Sequence, residues 1–107
     1  MRILLDECVD EHFADPRAGY DVLTVAQLGW KGAKNGVLLA QAVEGGIEAF
    51  VTVDRNVMFQ QNVPRYAIGI VVMRAKSNRL RDLLPLAPAV RQALASIKTG
   101  EVRFIGD

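Results

Sequence analysis

Apolar residues along this chain fall into short, nearly continuous runs, separated by stretches in which they recur every three or four positions. The runs are Ile3-Leu4-Leu5, Asp21-Val22-Leu23-Thr24-Val25, Ala49-Phe50-Val51-Thr52-Val53, Ile68 to Met73, and Val102-Arg103-Phe104-Ile105. Rich in β-branched and aliphatic side chains, they predict five strands. Ile3-Leu4-Leu5 shows no polar alternation, as a parallel strand buried on both faces requires. Between the strands, Val9 to Ala14 predicts a short helix halted near Pro16, and Val37 to Glu44 a helix that begins after Asn35 and closes at Gly45-Gly46. Asn is a favoured N-cap and Gly a favoured C-terminal stop. Leu80, Leu83, Leu84, Ala87, Val90, Leu94 and Ile97 share one helical face over 79–98. Pro85 and Pro88 interrupt that face, so the pattern predicts a kink or two consecutive helices, with Pro88 in the first turn of the second. Strands alternating with helices in this way define the α/β class, with a central, mainly parallel sheet of about five strands.

At 107 residues the chain has room for one hydrophobic core, hence for one domain over 1–107, folded alone or as a small oligomer such as a homodimer. A composition of 50% hydrophobic and 23% charged residues is that of a globular protein and excludes a disordered or collagen-like one. The single cysteine, Cys8, and single histidine, His12, exclude a disulfide framework, a CxxC redox pair and a Cys/His zinc cage within one chain. Cys8 and His12 form a conceivable nucleophile and base, but their acidic surroundings raise a thiol pKa. No apolar stretch approaches the roughly 20 residues that span a bilayer, and the N-terminus reads as a strand and not as a secretion signal. The expectation is a cytoplasmic protein with no membrane partner.

Charge changes the picture once it is divided along the chain. The formal net charge is +1, yet residues 1–54 hold four bases against nine acids, for −5, and residues 55–107 hold nine bases against three acids, for +6. Such polarity suits a polyanionic partner bound beside a group of carboxylates. Chance segregation of surface charge produces the same count.

In open α/β sheets ligands bind beyond the carboxyl ends of the strands, and three acids stand there. Asp6 and Glu7 follow the first strand and Asp54 the third. Short carboxylates held at a sheet edge suit a hard divalent cation, Mg²⁺ or Mn²⁺, which activates water and neutralises phosphate. An Asp after a buried strand is also a common helix cap or turn former. Arg55 beside Asp54 suits either a scissile phosphate or an ordinary ion pair. Arg74, Lys76, Arg79 and Arg81, with Ser77 and Asn78 among them, put four bases into eight residues after the fourth strand. That density suits a phosphodiester backbone bordering the acids, and equally a solvated helix face. Trp30, in the Gly29 to Gly36 loop, suits base stacking or plain packing; the loop lacks P-loop spacing.

Three segments carry a family resemblance: Ile3-Leu4-Leu5-Asp6-Glu7; Leu28-Gly29-Trp30 with Asn35-Gly36 ahead of a Leu-Leu-Ala helix; and Val51-Thr52-Val53-Asp54-Arg55-Asn56. With Gln60-Gln61-Asn62 and Arg74-Ala75-Lys76-Ser77-Asn78-Arg79-Leu80, the chain resembles the DUF5615 family of PIN-like proteins over nearly its whole length. The resemblance implies a three-layer α/β/α sandwich and the toxin half of a bacterial toxin–antitoxin pair, that is, a Mg²⁺- or Mn²⁺-dependent ribonuclease with an antitoxin-like protein partner. On that basis Asp6 and Asp54 are the metal-holding acids and Glu7 an accessory. Many relatives read Asp-x-Glu before the second helix, whereas this chain has Asn35-Gly36-Val37. Two acids with the Asn35 carbonyl as an accessory then make a weak metal site.

Three functions follow as expectations. The first is a metal-dependent endoribonuclease with Asp6, Glu7, Asp54 and Arg55 as catalytic residues and Arg55, Arg74, Lys76, Arg79 and Arg81 on the RNA, with Asn35, Ser77 and Asn78 as accessories. The second is a catalytically degenerate module that binds RNA or an antitoxin without cleavage. The third, a receiver-like phosphoacceptor, needs a Lys after the fifth strand, where Phe104-Ile105-Gly106-Asp107 offers none.

Overall fold

The structure, a computed structural model, describes residues 1–13, 19–33, 35–54 and 66–106, with the Asn35 side chain left out. Five strands, β1 (Arg2–Leu5), β2 (Asp21–Thr24), β3 (Ala49–Thr52), β4 (Gly69–Arg74) and β5 (Val102–Gly106), form one sheet in the order β2-β1-β3-β4-β5. Every pairing is parallel. The helices among the described residues are α1 (Asn35–Glu44), the single turn α2 (Leu80–Leu83) and α3 (Ala87–Ser96).

Parallel strands need crossovers that cover the faces of the sheet, and the side-chain alternation shows both faces covered. Leu4 on β1, Phe50 on β3 and Ile70 and Val72 on β4 turn to one face, where Leu38, Leu39 and Ala42 of α1 pack on them. Ile3 and Leu5, Ala49 and Val51, and Val71 and Met73 turn to the other, against Leu83 of α2 and Val90, Ala93 and Leu94 of α3. Two buried cores therefore sandwich the sheet, which makes the fold an α/β sandwich around an all-parallel sheet, as the alternating pattern predicted.

The boundaries differ from the sequence expectation in instructive places. The helix expected over Val9 to Ala14 is, in its described part, a 3-10 turn over Glu11–Phe13. The Asp10 carboxylate accepts the His12 backbone N–H at 2.9 Å and Phe13 N–H bonds the Asp10 carbonyl at 2.9 Å, so local side-chain bonding tightens the chain before an α-helix forms. Helix α1 starts at Asn35 itself, two residues before the expected Val37. The interrupted apolar face divides at the prolines: a 3-10 turn over Leu84–Leu86 joins α2 to α3, and Pro88 lies in the first turn of α3. That tighter turn carries Leu84 off the shared face, leaving it 46% exposed.

Two interactions close the β5 edge. Arg103 makes a bidentate pair with Glu101, at 2.8 Å from Nη2 to Oε2, and reaches Ser96 Oγ at 2.7 Å, tying β5 to the end of α3. Gly106 has φ +96°, and a Cβ there would stand 2.2 Å from the Arg74 carbonyl oxygen, so no other residue fits beside the end of β4.

Replacing the fully buried Phe50 by Ala should cost about 3–5 kcal/mol by denaturant unfolding. Leu84→Ala, on the displaced and exposed position, should stay within about 0.5 kcal/mol of wild type in the same experiment.

Candidate functional site

The growth of the sheet reverses between β1 and β3: β2 lies on one side of β1, and β3, β4 and β5 lie on the other. At such a reversal the connections leave in opposite directions and open a crevice beyond the carboxyl ends of the strands. Asp6 follows β1 there, and Asp54 stands two residues past the end of β3. Leu5 pairs with Val51, so the next residues along, Asp6 and Thr52, come side by side.

Hydrogen bonds join the two strand ends. The Asp6 backbone N–H extends the ladder to the Val51 carbonyl at 3.0 Å. Thr52 Oγ1, on a fully buried residue, donates to Asp6 Oδ2 at 2.6 Å and accepts the Asp54 backbone N–H at 3.0 Å. The Glu7 backbone N–H donates to Asp6 Oδ1 at 2.8 Å. Asp6 is thus held at both oxygens.

Asp6, Glu7, Cys8, Ala33, Val53 and Asp54 line one open cleft, so all three acids predicted for the site border the same space. A neighbouring hollow shares Asp6 and Glu7 and is also lined by Asp10, Glu11 and Lys31. Among the described residues no three His, Cys, Asp or Glu side chains gather tightly enough to enclose an ion. Asp6 and Asp54 are oxygen donors of the kind that Mg²⁺ takes when it keeps most of its own water and binds only one or two carboxylates. Val37, where an acid was expected by resemblance, is an exposed apolar residue at the start of α1.

Cys8 also lines this cleft. Burial pushes its thiol pKa up, and the neighbouring Asp6 charge pushes it further. His12 is exposed and bonds Asp10, Nδ1 to Oδ1 at 2.8 Å. That bond raises the imidazole pKa, while the His12 backbone N–H, and after it the ring, lowers that of Asp10. Cys8 and His12 therefore show neither the activated thiolate nor the free base of a nucleophilic pair.

The basic cluster divides by role. Arg74 lies over the Phe104 ring, 4.9 Å from its centroid, and its Nη2 reaches the Gly106 carbonyl at 3.4 Å, so it belongs to the β4–β5 edge. Lys76, Arg79 and Arg81 are exposed. Ser77 and Asn78 shape their loop. Ser77 Oγ donates to Asp82 and accepts the Arg79 backbone N–H at 3.0 Å, and Asn78 Nδ2 donates to the Cys8 carbonyl at 3.4 Å. The last bond fastens the basic loop to the loop that carries Asp6 and Glu7. Arg55 and Gln60-Gln61-Asn62 lie outside the described residues, as does the Asn35 side chain. Trp30 packs with the α1-side core, the structural one of its two readings.

Sequence reasoning passed over Thr52 and Lys31. A hydroxyl inside an otherwise apolar run, two residues before a strand-end Asp, was the available signal for Thr52. Lys31 carried none, because only the fold turns its loop towards the acids.

Comparison with protein-family models, curated proteins and solved structures returned no match, so the site itself carries the functional reading. The β2-β1-β3-β4-β5 order is also the flavodoxin-like one, and the sheet order alone does not choose among chemistries.

Alkylation of Cys8 at pH 7.5 should run slower than that of a free cysteine, and its rate should level off at a higher pH, because burial and the Asp6 charge retain the thiol proton. Asp6→Asn, which removes the neighbouring charge, should speed the reaction. A rate equal to free cysteine at pH 7.5 would show that the thiol is not held as described.

Proposed function

We propose that the protein is a metal-dependent endoribonuclease of the PIN-like kind, acting in the cytoplasm as the toxin half of a toxin–antitoxin pair. The observation that carries this reading is the hydrogen-bonded link from Asp54 through Thr52 to Asp6, which brings two strand-end carboxylate residues to one open cleft. The cytoplasmic setting, the antitoxin-like partner and the PIN-like kinship come from the DUF5615 resemblance alone.

In this reading Asp6 and Asp54 hold a Mg²⁺ or Mn²⁺ ion, with Glu7 as an accessory at the rim. The ion supplies a more acidic water and offsets charge on the phosphate. Lys76, Arg79 and Arg81 hold the RNA backbone by point charge and by guanidinium hydrogen bonds, without reading base identity. Asn78 keeps that grip beside the cleft by fastening its loop to Cys8. Arg55, adjacent to Asp54 in the chain, is assigned to the scissile phosphate. In the reaction the water oxygen bonds phosphorus, the bond from phosphorus to the leaving ribose oxygen breaks, and that oxygen leaves with a proton.

One observation favours a second reading. Val37 presents an exposed apolar side chain where a further ligand is expected by resemblance. A chain that had given up cleavage would keep the basic loop and bind RNA or an antitoxin-like protein without turnover.

Cleavage of single-stranded RNA in the presence of Mn²⁺ should fall at least about 100-fold in Asp6→Asn, the order expected when a group acting on the transition state is removed. Equal rates would contradict the proposal. Wild-type RNA binding with no Mn²⁺-dependent cleavage would favour the second reading. Single Ala substitutions of Lys76, Arg79 and Arg81 should each weaken RNA binding and lower the slope of log affinity against log salt by about 0.7.

A further inference from the structure

We infer that Thr52 is a positioning residue: its hydroxyl sets the Asp6 carboxylate and the Asp54 backbone in one arrangement ready to receive a cation. The inference deepens the carboxylate reading above and rests on it. Thr52 is the only polar residue in the buried class among the described residues, in a strand whose other positions are Ala49, Phe50 and Val51. Valine has nearly the same shape, and a buried hydroxyl is costly unless it is bonded, so packing alone gives no reason for threonine here.

The bonding direction makes the hydroxyl specific. A threonine hydroxyl has one proton, and an ionised carboxylate and a backbone N–H make opposite demands on it. Asp6 Oδ2 takes the proton at 2.6 Å, and the Asp54 N–H is received on the oxygen at 3.0 Å. One atom thereby bonds the end of β1 and the end of β3, which are 46 residues apart in the chain. With the Glu7 N–H on Oδ1 and the Cys8 thiol also bonded to the carboxylate, Asp6 is held from several sides at the strand end. A carboxylate held in this way needs no reorganisation when a cation arrives, whereas one freed on the Oδ2 side does. Asp54 gains in its backbone: without the hydroxyl its N–H loses the acceptor that holds it just past the end of β3.

Mn²⁺ titration of wild type, Thr52→Val and Thr52→Ser, with amide exchange measured at Asp54 without metal, tests this. Thr52→Val should bind Mn²⁺ at least about 10-fold more weakly, the usual loss when a residue behind a ligand is removed. Its Asp54 amide should exchange faster while its melting temperature shows it folded, and Thr52→Ser, which keeps the hydroxyl, should restore both. A folded Thr52→Val with wild-type Mn²⁺ affinity would overturn the inference. Should wild type bind no Mn²⁺, the ribonuclease proposal fails, and Asp54 exchange decides the positioning role: acceleration in Thr52→Val that Thr52→Ser reverses upholds it, and unchanged exchange refutes it. Should Thr52→Val fail to fold, Thr52→Ser carries the test, wild-type affinity and exchange supporting the inference and loss of either contradicting it.

Discussion

Two strands that are neighbours in space but not in sequence, β1 and β3, run parallel and so must end at the same edge of the sheet. Everything at the candidate site depends on that pairing. Its register, with Leu5 opposite Val51, brings Thr52 beside Asp6 and sends the chain on to Asp54 in the same cleft. A slip of one residue would turn Thr52 away from Asp6 and put the alternating apolar set, Leu4 with Phe50 and Ile3 and Leu5 with Ala49 and Val51, on the wrong faces. The two buried cores that fix the register against such a slip therefore also fix the geometry of the carboxylates.

The charge imbalance between the halves takes on structure in this frame. Asp6 and Asp54 occupy strand ends, and Asp10 is engaged with His12 outside the cleft that they share with Glu7. On the basic side, Arg103 is bound to Glu101 and Ser96, and Arg74 is stacked on Phe104. Arg2, from the acidic half, is likewise spent on Asp21 and on the Gly45 carbonyl at the end of α1. The bases left in the cluster with exposed side chains are Lys76, Arg79 and Arg81, in the loop and turn that Asn78 anchors beside the acids. A count of charges overstates the electrostatic surface, because part of it holds helices and sheet edges together.

Elements whose signal is local and repetitive were legible in the sequence. Continuous apolar runs located all five strands within one or two residues, and Pro88 marked the start of α3. Val9 to Ala14 was read as a helix, and in its described part Asp10 bonds the backbone and tightens the chain into a 3-10 turn. Asp6, Glu7 and Asp54 were legible as acids after strands. The order of the strands was not, and that order is what brings Asp6 and Asp54 to one cleft. Thr52 showed only as a hydroxyl in an apolar run, with nothing to name its partner 46 residues away, and Lys31 showed nothing, because its loop is placed only by the finished fold. Arg74 shows the reverse case: four bases close in sequence looked like one cluster, and the aromatic ring of Phe104 on the adjacent strand removes one of them.

The central claim is that the end of β1 and the end of β3 form one cation site with Asp6 and Asp54 as its protein ligands. A crystal structure of the protein grown with Mn²⁺, with anomalous diffraction to locate the metal, tests it most directly. One anomalous peak is expected in the cleft, about 2.0–2.3 Å from oxygens of both Asp6 and Asp54, with the remaining positions filled largely by water. A peak elsewhere, or none at a Mn²⁺ concentration that saturates RNA cleavage, would contradict it.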